Sequence, residues 1–417
     1  MEKIGYLQLM KSRVYLPFLL SQVLSNLSDG LLAVAVIYFA VVLEASPWEL
    51  GVITFAITLS RGFLGPIGGL LSDRMNKRTY LITIEAIRAA AMLSLFVLFW
   101  YEMTNIWVLM GFGVIVSTLF AISVPAAKAV IPKLVREEEL QLANGLIQTI
   151  TWPAYFMGSG LLALLQPLQL VNYVFLVISV FFVISFLLLL ALPKQRQDPV
   201  PTKRESKPSL LVELLAGYQE MRSDSVMHAR VLTYGIFTFF WRGVLQILIP
   251  LVVLTHLKSP EWVYGTLMFV NGMSEFIANL VVGKLTLRRP LVFTFLCEGL
   301  LGVGVLLIAS SFWLPIPEIG LLTGVFVVGV AASTIDIPLL TVIQKNVAEH
   351  NVAKVISYWF TIGSAGGALG SLILGFYFEF VPIESGSLML GFGLLLIGLT
   401  LLFWARKSNQ YVALTDH

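Results

Sequence analysis

Cysteine and charge are the two features that this sequence has least of. Its 417 residues include a single cysteine, Cys297, which excludes a disulfide framework or a thiolate metal site. Only 12% of the residues are charged, against roughly 25% in a soluble domain. The net charge of +3 is too small to favour nucleic-acid binding. Because no P-loop, histidine-rich metal motif or nucleophile–base arrangement occurs, we expect neither an enzyme nor a cofactor.

Long apolar runs occupy most of the chain. Hydrophobic residues make up 58% of the sequence, and the mean hydropathy is +0.88. A helix needs about 20 apolar residues to cross a bilayer. Runs of that length predict twelve transmembrane helices, at 14–43, 50–72, 80–100, 106–126, 143–165, 172–192, 231–254, 263–285, 291–312, 319–340, 355–380 and 387–405. We expect the first run to be a retained span, because no small-residue cleavage site follows it.

The basic residues predict an orientation. Of the 27 lysines and arginines, 23 fall on one side of the predicted spans when Lys284, at the end of the eighth span, is counted with the loop that follows it. Lys258 falls on the other side, and three lie within spans. By the positive-inside rule this asymmetry predicts a multi-pass protein of the cytoplasmic membrane with both termini in the cytosol. The polar stretch 193–230 is predicted to be a linker with an amphipathic surface helix. It separates two predicted domains of six spans each, 1–192 and 231–417.

The two halves resemble each other at a nearly constant offset. "IPKLVREEEL" at 131–140 lies over "IQKNVAEHNV" at 343–352, an offset of 212 residues. Such a repeat predicts an all-α protein built as two pseudo-symmetric six-helix bundles around a central cavity. Glycines at helical spacing predict close approach of helices in the second span (Gly65, Gly69) and the eleventh (Gly363, Gly366, Gly367, Gly370).

Charged side chains fall within the predicted spans at equivalent positions of the two halves. Asp29 corresponds to Arg242 at an offset of 213, and Arg61 corresponds to Glu275 at 214. A charge at the centre of a bilayer costs about 2.5–3.5 kcal/mol on insertion scales. Each of these charged residues is therefore a candidate functional residue. We predict that Asp29 pairs with Arg242 or Arg61 and takes up and releases a proton; static Asp29–Arg61 and Arg242–Glu275 pairs are the alternative. The candidates for proton coupling are Asp29, Arg242, Arg61, Glu275, Glu298 and Asp336.

Polar and aromatic side chains accompany these charges at helical spacing. The predicted substrate-cavity residues are Gln22, Ser25, Asn26, Thr238, Trp241, Gln246, Trp152 and Tyr155. Glu85 and Arg88, one turn apart in the third span, are expected to form a structural pair. For Asp336, solvation near the inner end of the tenth span is the alternative account.

The loop between the second and third spans reads "GGLLSDRMNKR". It resembles the signature G-x-L-x-D-R-x-G-R-[RK] of the major facilitator superfamily. Asn76 stands where the second glycine would be and is expected to adopt a left-handed backbone. The resemblance implies a gating role in which Asp73 faces the start of the eleventh helix. The residues that carry this role are Gly69, Asp73, Arg74, Lys77 and Arg78.

Two further stretches narrow the resemblance. "VPAAKAVIPKLVREEELQLANGL" and "IPLLTVIQKNVAEHNVAKV" are similar to the macrolide-efflux and siderophore-export branch. The fifth span lacks the family's antiporter signature G-x-x-x-G-P-x-x-G-G. The resemblance implies a secondary active transporter, a proton-coupled exporter of amphipathic drug-like or organic compounds, working by alternating access as a monomer. A lipid or lysophospholipid transporter of the same fold and a polytopic membrane enzyme or sensor are the alternatives. The expected partners are a small-molecule substrate, protons and membrane lipids, with no nucleic acid.

Overall fold

Twelve long helices follow one another in the computed structural model, which describes residues 9–64, 75–136, 139–193, 218–219, 225–282, 290–347 and 349–407. The first six are α1 Tyr15–Val42, α2 Pro47–Phe63, α3 Lys77–Trp100, α4 Ile106–Val130, α5 Leu140–Leu165 and α6 Val174–Leu190. The second six are α7 Ser225–Gly243, α8 Glu261–Val282, α9 Pro290–Ser310, α10 Pro317–Asn346, α11 Glu349–Phe380 and α12 Ile383–Lys407. The predicted all-α fold with twelve helices in two bundles is confirmed.

The surface of these helices suits a bilayer. Within the described residues, nine helices are long and apolar enough to span a membrane. Tryptophans lie exposed near helix ends, where the interfaces of a bilayer favour them; examples are Trp100, Trp107 and Trp313, each more than half exposed. The protein is therefore a multi-pass membrane protein.

Helix ends show where the local sequence decides the structure. Asn76 has a φ of −62°, so the expected left-handed backbone is wrong. Its side chain instead accepts hydrogen bonds from the backbone N–H groups of Arg78 and Thr79 and caps the start of α3. Asn105 caps α4 in the same way, through the N–H of Val108 at 3.0 Å. Asparagine is therefore used here as a helix cap and not as a substitute for glycine.

Helix α7 departs from regular α-helix. It begins at Ser225, six residues before the predicted start, and after Gly243 it continues in wide π-helical turns at Val244–Leu248 and Leu251–His256. Such turns are rare and are frequently found at functional sites. The predicted amphipathic helix of the linker lies almost entirely outside the described residues.

The chain divides into two compact units. The first comprises Met1–Ala45, Ala56–Lys207 and Glu261–Thr266, and the second comprises Ser46–Phe55, Pro208–Pro260 and Leu267–His417. In the first unit α1 packs on α5 and α6, and α3 packs on α4 and α6. In the second unit α7 packs on α11, and α9 packs on α10 and α12. The pairs α1–α5 and α7–α11 are equivalent under the internal repeat.

Glycines allow these equivalent pairs to pack closely. A Cβ added to Gly30 on α1 would collide with the carbonyl oxygen of Tyr155 on α5, and Gly158 on α5 faces the α1 backbone as closely. In the second unit, Gly243 on α7 and Gly370 on α11 occupy the corresponding positions and face each other's helix. The close approach predicted for the glycines of α11 is confirmed, whereas Gly65 and Gly69 lie outside the described residues.

Candidate functional site

The first unit contains a buried group of polar and charged side chains, here called the N-terminal charge cluster: Ser25, Asp29, Arg61, Glu85 and Arg88. Arg88 is its centre, because its side chain is fully buried and its guanidinium donates in three directions. It donates to Asp29 Oδ1, to Ser25 Oγ at 2.7 Å and to Glu85 Oε1 at 3.2 Å. Ser25 Oγ also donates to Glu85 Oε1 at 3.0 Å.

The sequence builds this cluster from two helical repeats. Ser25 and Asp29 lie four residues apart on α1, and Glu85 and Arg88 lie three apart on α3, so each pair occupies one helix face. The ring of Phe182 on α6 lies 4.0 Å from the Arg88 guanidinium carbon and encloses the cluster. Charge-assisted hydrogen bonds from Arg88 therefore take the place of the water that would otherwise solvate these carboxylates.

Asp29 lies between two arginines. Arg61 Nη2 on α2 is 3.7 Å from Asp29 Oδ1, and its side chain is 30% exposed, whereas the side chain of Asp29 is 1% exposed. The predicted Asp29–Arg61 ion pair is thus present, but Arg88 is the hydrogen-bonded partner and was expected to pair only with Glu85. Arg242, the other predicted partner, belongs to the second unit.

The second unit contains the C-terminal charge cluster, defined as Tyr234 and Arg242 on α7, Glu275 on α8 and Asp336 on α10. Both carboxylates interact electrostatically with Arg242, and the side chains of Tyr234 and Asp336 are hydrogen-bonded. On α11, a Cβ at Gly367 would lie 2.8 Å from Arg242 Cγ, so the glycine leaves room for the arginine. The structure therefore brings together three of the candidates for proton coupling.

Asp336 and Glu298 depart from their expected surroundings in different ways. Helix α10 continues to Asn346, so Asp336 lies ten residues before its end. Pro338 lies within the helix and does not end it. Glu298 on α9 is fully buried, and neither of its carboxylate oxygens has a partner in the described part of the chain. It stands apart from the C-terminal charge cluster.

The predicted cavity residues have separate local partners. In the first unit Ser25 belongs to the charge cluster, while Asn26 Nδ2 donates to the carbonyl of Gln22, 2.7 Å away on its own helix. In the second unit the Thr238 hydroxyl donates to carbonyls of its own helix. Gln246 Oε1 accepts from the hydroxyl of Ser371 on α11 at 2.6 Å. The polar stripe on α1 is therefore divided between the α3 contact and the helix backbone.

Aromatic rings lie against the arginines that are only partly buried. The Arg61 guanidinium carbon is 4.5 Å from the ring centre of Phe120 on α4 and 5.9 Å from that of Tyr155 on α5. In the second unit the Arg242 guanidinium carbon is 4.7 Å from the ring centre of Trp241. Trp152 is 58% exposed on α5. Phe120 carries no signal in the sequence that would have singled it out.

The signature loop is described only in part. Gly69, Asp73 and Arg74 lie outside the described residues, so their predicted gating role stays a prediction. Lys77 is the first residue of α3. The Arg78 guanidinium donates to the carbonyl oxygens of Leu190 at 2.7 Å and Leu192 at 2.8 Å. Arg78 therefore satisfies carbonyls at the end of α6, which have no partner within that helix.

Comparison with known families agrees with this architecture. The family model of the Major Facilitator Superfamily matches residues 18–371 and 242–414. The chain belongs to this superfamily. It is 24% identical to the uncharacterized MFS-type transporter YfiS of Bacillus subtilis (strain 168), with 94% of each chain covered. It is 23% identical to macrolide efflux protein A of Streptococcus pyogenes, over 89% of this chain and 90% of that protein.

Two other comparisons concern an exporter and a solved structure. The superfamily member described here is 25% identical to the enterobactin exporter EntS of Salmonella typhimurium (strain LT2), covering 94% of this chain and 92% of that one. The crystal structure of the nucleoside transporter NupG has a TM-score of 0.69 at 15% identity, covering 93% of this chain and 99% of that chain. At that identity the likeness concerns the fold. The protein is thus a superfamily transporter of a small-molecule substrate.

Proposed function

We propose that this transporter is a proton-coupled exporter of amphipathic organic compounds and that its proton site is the C-terminal charge cluster. The observation that carries the proposal is the charge balance of this cluster, in which two carboxylates, Glu275 and Asp336, both interact electrostatically with one guanidinium, that of Arg242. An uncompensated charge inside a membrane protein is costly. One proton on either carboxylate makes the cluster neutral, and its release restores a negative charge.

The N-terminal charge cluster is less suited to this task. Its two carboxylates, Asp29 and Glu85, are matched by two guanidinium groups, those of Arg61 and Arg88. Adding a proton there would leave a buried positive charge. We therefore place proton uptake on Glu275 and Asp336 in preference to Asp29, which holds the network of the first unit together.

Export is the proposed direction because two relatives are named for export: macrolide efflux protein A and the enterobactin exporter EntS. Alternating access is the proposed cycle, since parallel six-helix repeats rock around a midplane site in transporters of this class. We further propose that the protein lies in the cytoplasmic membrane with both termini in the cytosol and acts as a monomer.

The test is transport into proteoliposomes with an acidic interior. The probes are erythromycin and 1-naphthoate as amphipathic compounds, and a fluorescent lysophosphatidylcholine as the lipid alternative. We expect the pH gradient to drive accumulation of an amphipathic probe, and expect Glu275→Gln and Asp336→Asn to abolish this accumulation while leaving exchange of the probe intact. Glu102→Gln, at an exposed carboxylate just after α3, is the matched control.

Two results would contradict the proposal. Accumulation that persists in a double variant carrying both Glu275→Gln and Asp336→Asn would remove the C-terminal charge cluster as the proton site. Movement of the lysolipid alone would assign the protein to lipid transport. A further arm with Asp29→Asn tests the alternative coupling site in the same vesicles.

A further inference from the structure

Arg61 is a guanidinium with unused hydrogen-bond donors. Its closest carboxylate oxygen, Asp29 Oδ1, is 3.7 Å away, which is an ion-pair distance but too long for a hydrogen bond. Its Nε is buried and has no partner in the described part of the chain. Arginine carries five N–H donors, and buried donors are nearly always paired. Among the described residues this donor is therefore open to a further acceptor.

Asp29 does not supply that partner, although its second oxygen, Oδ2, accepts no hydrogen bond from any described residue. Its first oxygen, Oδ1, accepts a hydrogen bond from Arg88 Nη2. Arg88 is fully buried and is also fixed by Ser25 and Glu85, so it holds the Asp29 carboxylate toward α3. Arg61 is less buried than this carboxylate, since 30% of its side chain is exposed against 1% for Asp29.

Aromatic rings border the guanidinium of Arg61. Phe120 and Tyr155, on two different helices, lie 4.5 and 5.9 Å from the Arg61 guanidinium carbon, measured to the ring centres. Both rings are only half-buried. Arginine binds a carboxylate through two parallel hydrogen bonds in one plane, and it stacks on aromatic faces. A flat ligand that joins a carboxylate to an aromatic ring matches both properties.

We propose that Arg61, Phe120 and Tyr155 form an anion-binding subsite of the first unit for planar aromatic compounds that carry a carboxylate. Arg61 binds the carboxylate, and the two rings contact the aromatic part. The arginine of this subsite is not repeated in the second unit, where Glu275 occupies the position that corresponds to Arg61. As a statement about the transported substrate the inference rests on the proposed function, but binding itself needs neither a pH gradient nor a membrane.

The experiment measures equilibrium binding of 1-naphthoate to the purified full-length protein in detergent by titration calorimetry. Two other probes separate charge from shape: 1-naphthylmethylamine has the same ring with a positive charge, and cyclohexanecarboxylate has the anion without an aromatic ring. We expect 1-naphthoate to bind most tightly of the three. Arg61→Gln should weaken its binding by about ten- to a hundredfold, since a charge-assisted pair is lost.

Further variants keep the result interpretable. Arg61→Lys retains the charge without the planar fork and should weaken binding by roughly three- to tenfold. Phe120→Leu should weaken the binding of 1-naphthoate more than the binding of cyclohexanecarboxylate. Lys258→Gln removes one positive charge from an exposed residue outside the cluster and should leave all three affinities unchanged. Thermal unfolding of each variant shows that the protein remains folded.

Several results would overturn the inference. One is wild-type protein that does not bind 1-naphthoate, and another is Arg61→Gln that binds it as well as wild type. A third is that both Arg61 variants bind 1-naphthoate and 1-naphthylmethylamine more weakly by the same factor. That result would make Arg61 only a counter-ion of Asp29. Because the assay contains no gradient, proton coupling can fail while the subsite stands, and the reverse holds equally.

Discussion

Arg88 offers a direct test of how charge is stabilised inside the first unit. Replacing it with methionine keeps an unbranched side chain of similar volume but removes a guanidinium that donates to Asp29, Glu85 and Ser25 together. The side chains of Asp29 and Glu85 are 1% and 5% exposed, so neither carboxylate can turn to water. Two buried negative charges would be left with Arg61 alone.

Two physical effects predict different losses of unfolding free energy for Arg88→Met. If only hydrogen bonds matter, three of them at about 0.6 kcal/mol each within a membrane protein amount to about 2 kcal/mol. If stranded charge dominates, breaking a buried pair costs about 3–5 kcal/mol. We expect the larger loss, because the structure leaves no solvent route for the carboxylates. Arg61→Gln should cost about 1 kcal/mol or less, as its ion pair is longer and partly exposed.

The assay is equilibrium unfolding in mixed detergent micelles, followed by tryptophan fluorescence. A triple variant, with Asp29→Asn and Glu85→Gln added to Arg88→Met, separates the two effects because it removes the stranded charges as well. We expect the triple variant to recover most of the stability that Arg88→Met loses. If Arg88→Met loses no more than Arg61→Gln, or if the triple variant is no more stable than Arg88→Met, the electrostatic reasoning is refuted.

Three further predictions concern the gate, the helix packing and the orientation. Asp73→Asn should leave the protein folded and its substrate affinity nearly unchanged but should slow transport in vesicles; a wild-type rate would reduce the loop to a topology signal. Gly30→Ala should lower thermal stability because its Cβ would strike the Tyr155 carbonyl, whereas Gly111→Ala, with open space around it, should not; equal effects would refute the packing argument. Single cysteines should react with an impermeant thiol reagent outside intact cells at Ser46, Asn105, Ser259 and Glu384 but not at Asn76, Gln197 and Asn409, and the reverse pattern would invert the orientation.

The fold could be predicted largely because each segment that crosses a bilayer must form a helix of about 20 mostly apolar residues. Helix α4 begins at Ile106, as the apolar run predicts, because Asn105 both ends the polar loop and caps the helix. The prediction was poorer where a helix extends beyond its apolar run. Helix α10 continues six residues past the predicted end, and α11 begins at Glu349, six residues before the predicted start. Hydropathy alone does not detect polar helical turns of this kind.

The candidate site could be predicted only in part. Asp29, Arg242 and Glu275 could be singled out because a charged side chain within a membrane span is costly. The pairing could not be deduced in the same way, because Arg88 forms an acceptable pair with Glu85 in its own helix and this local pair concealed its contact with Asp29. Phe120 was missed because an apolar ring in an apolar helix carries no distinguishing pattern.

The position of Arg88 along the chain has a consequence during biosynthesis. It lies 59 residues after Asp29, so α1 enters the membrane before its hydrogen-bonded partner has been made. At about 5–20 residues per second, synthesis of the intervening segment takes roughly 3–12 s. Arg61 on α2 is made earlier in that interval and reaches Asp29 only at ion-pair distance in the folded unit, so the hydrogen bond from α3 is still lacking. Assembly of the first unit is therefore expected to wait for the third helix.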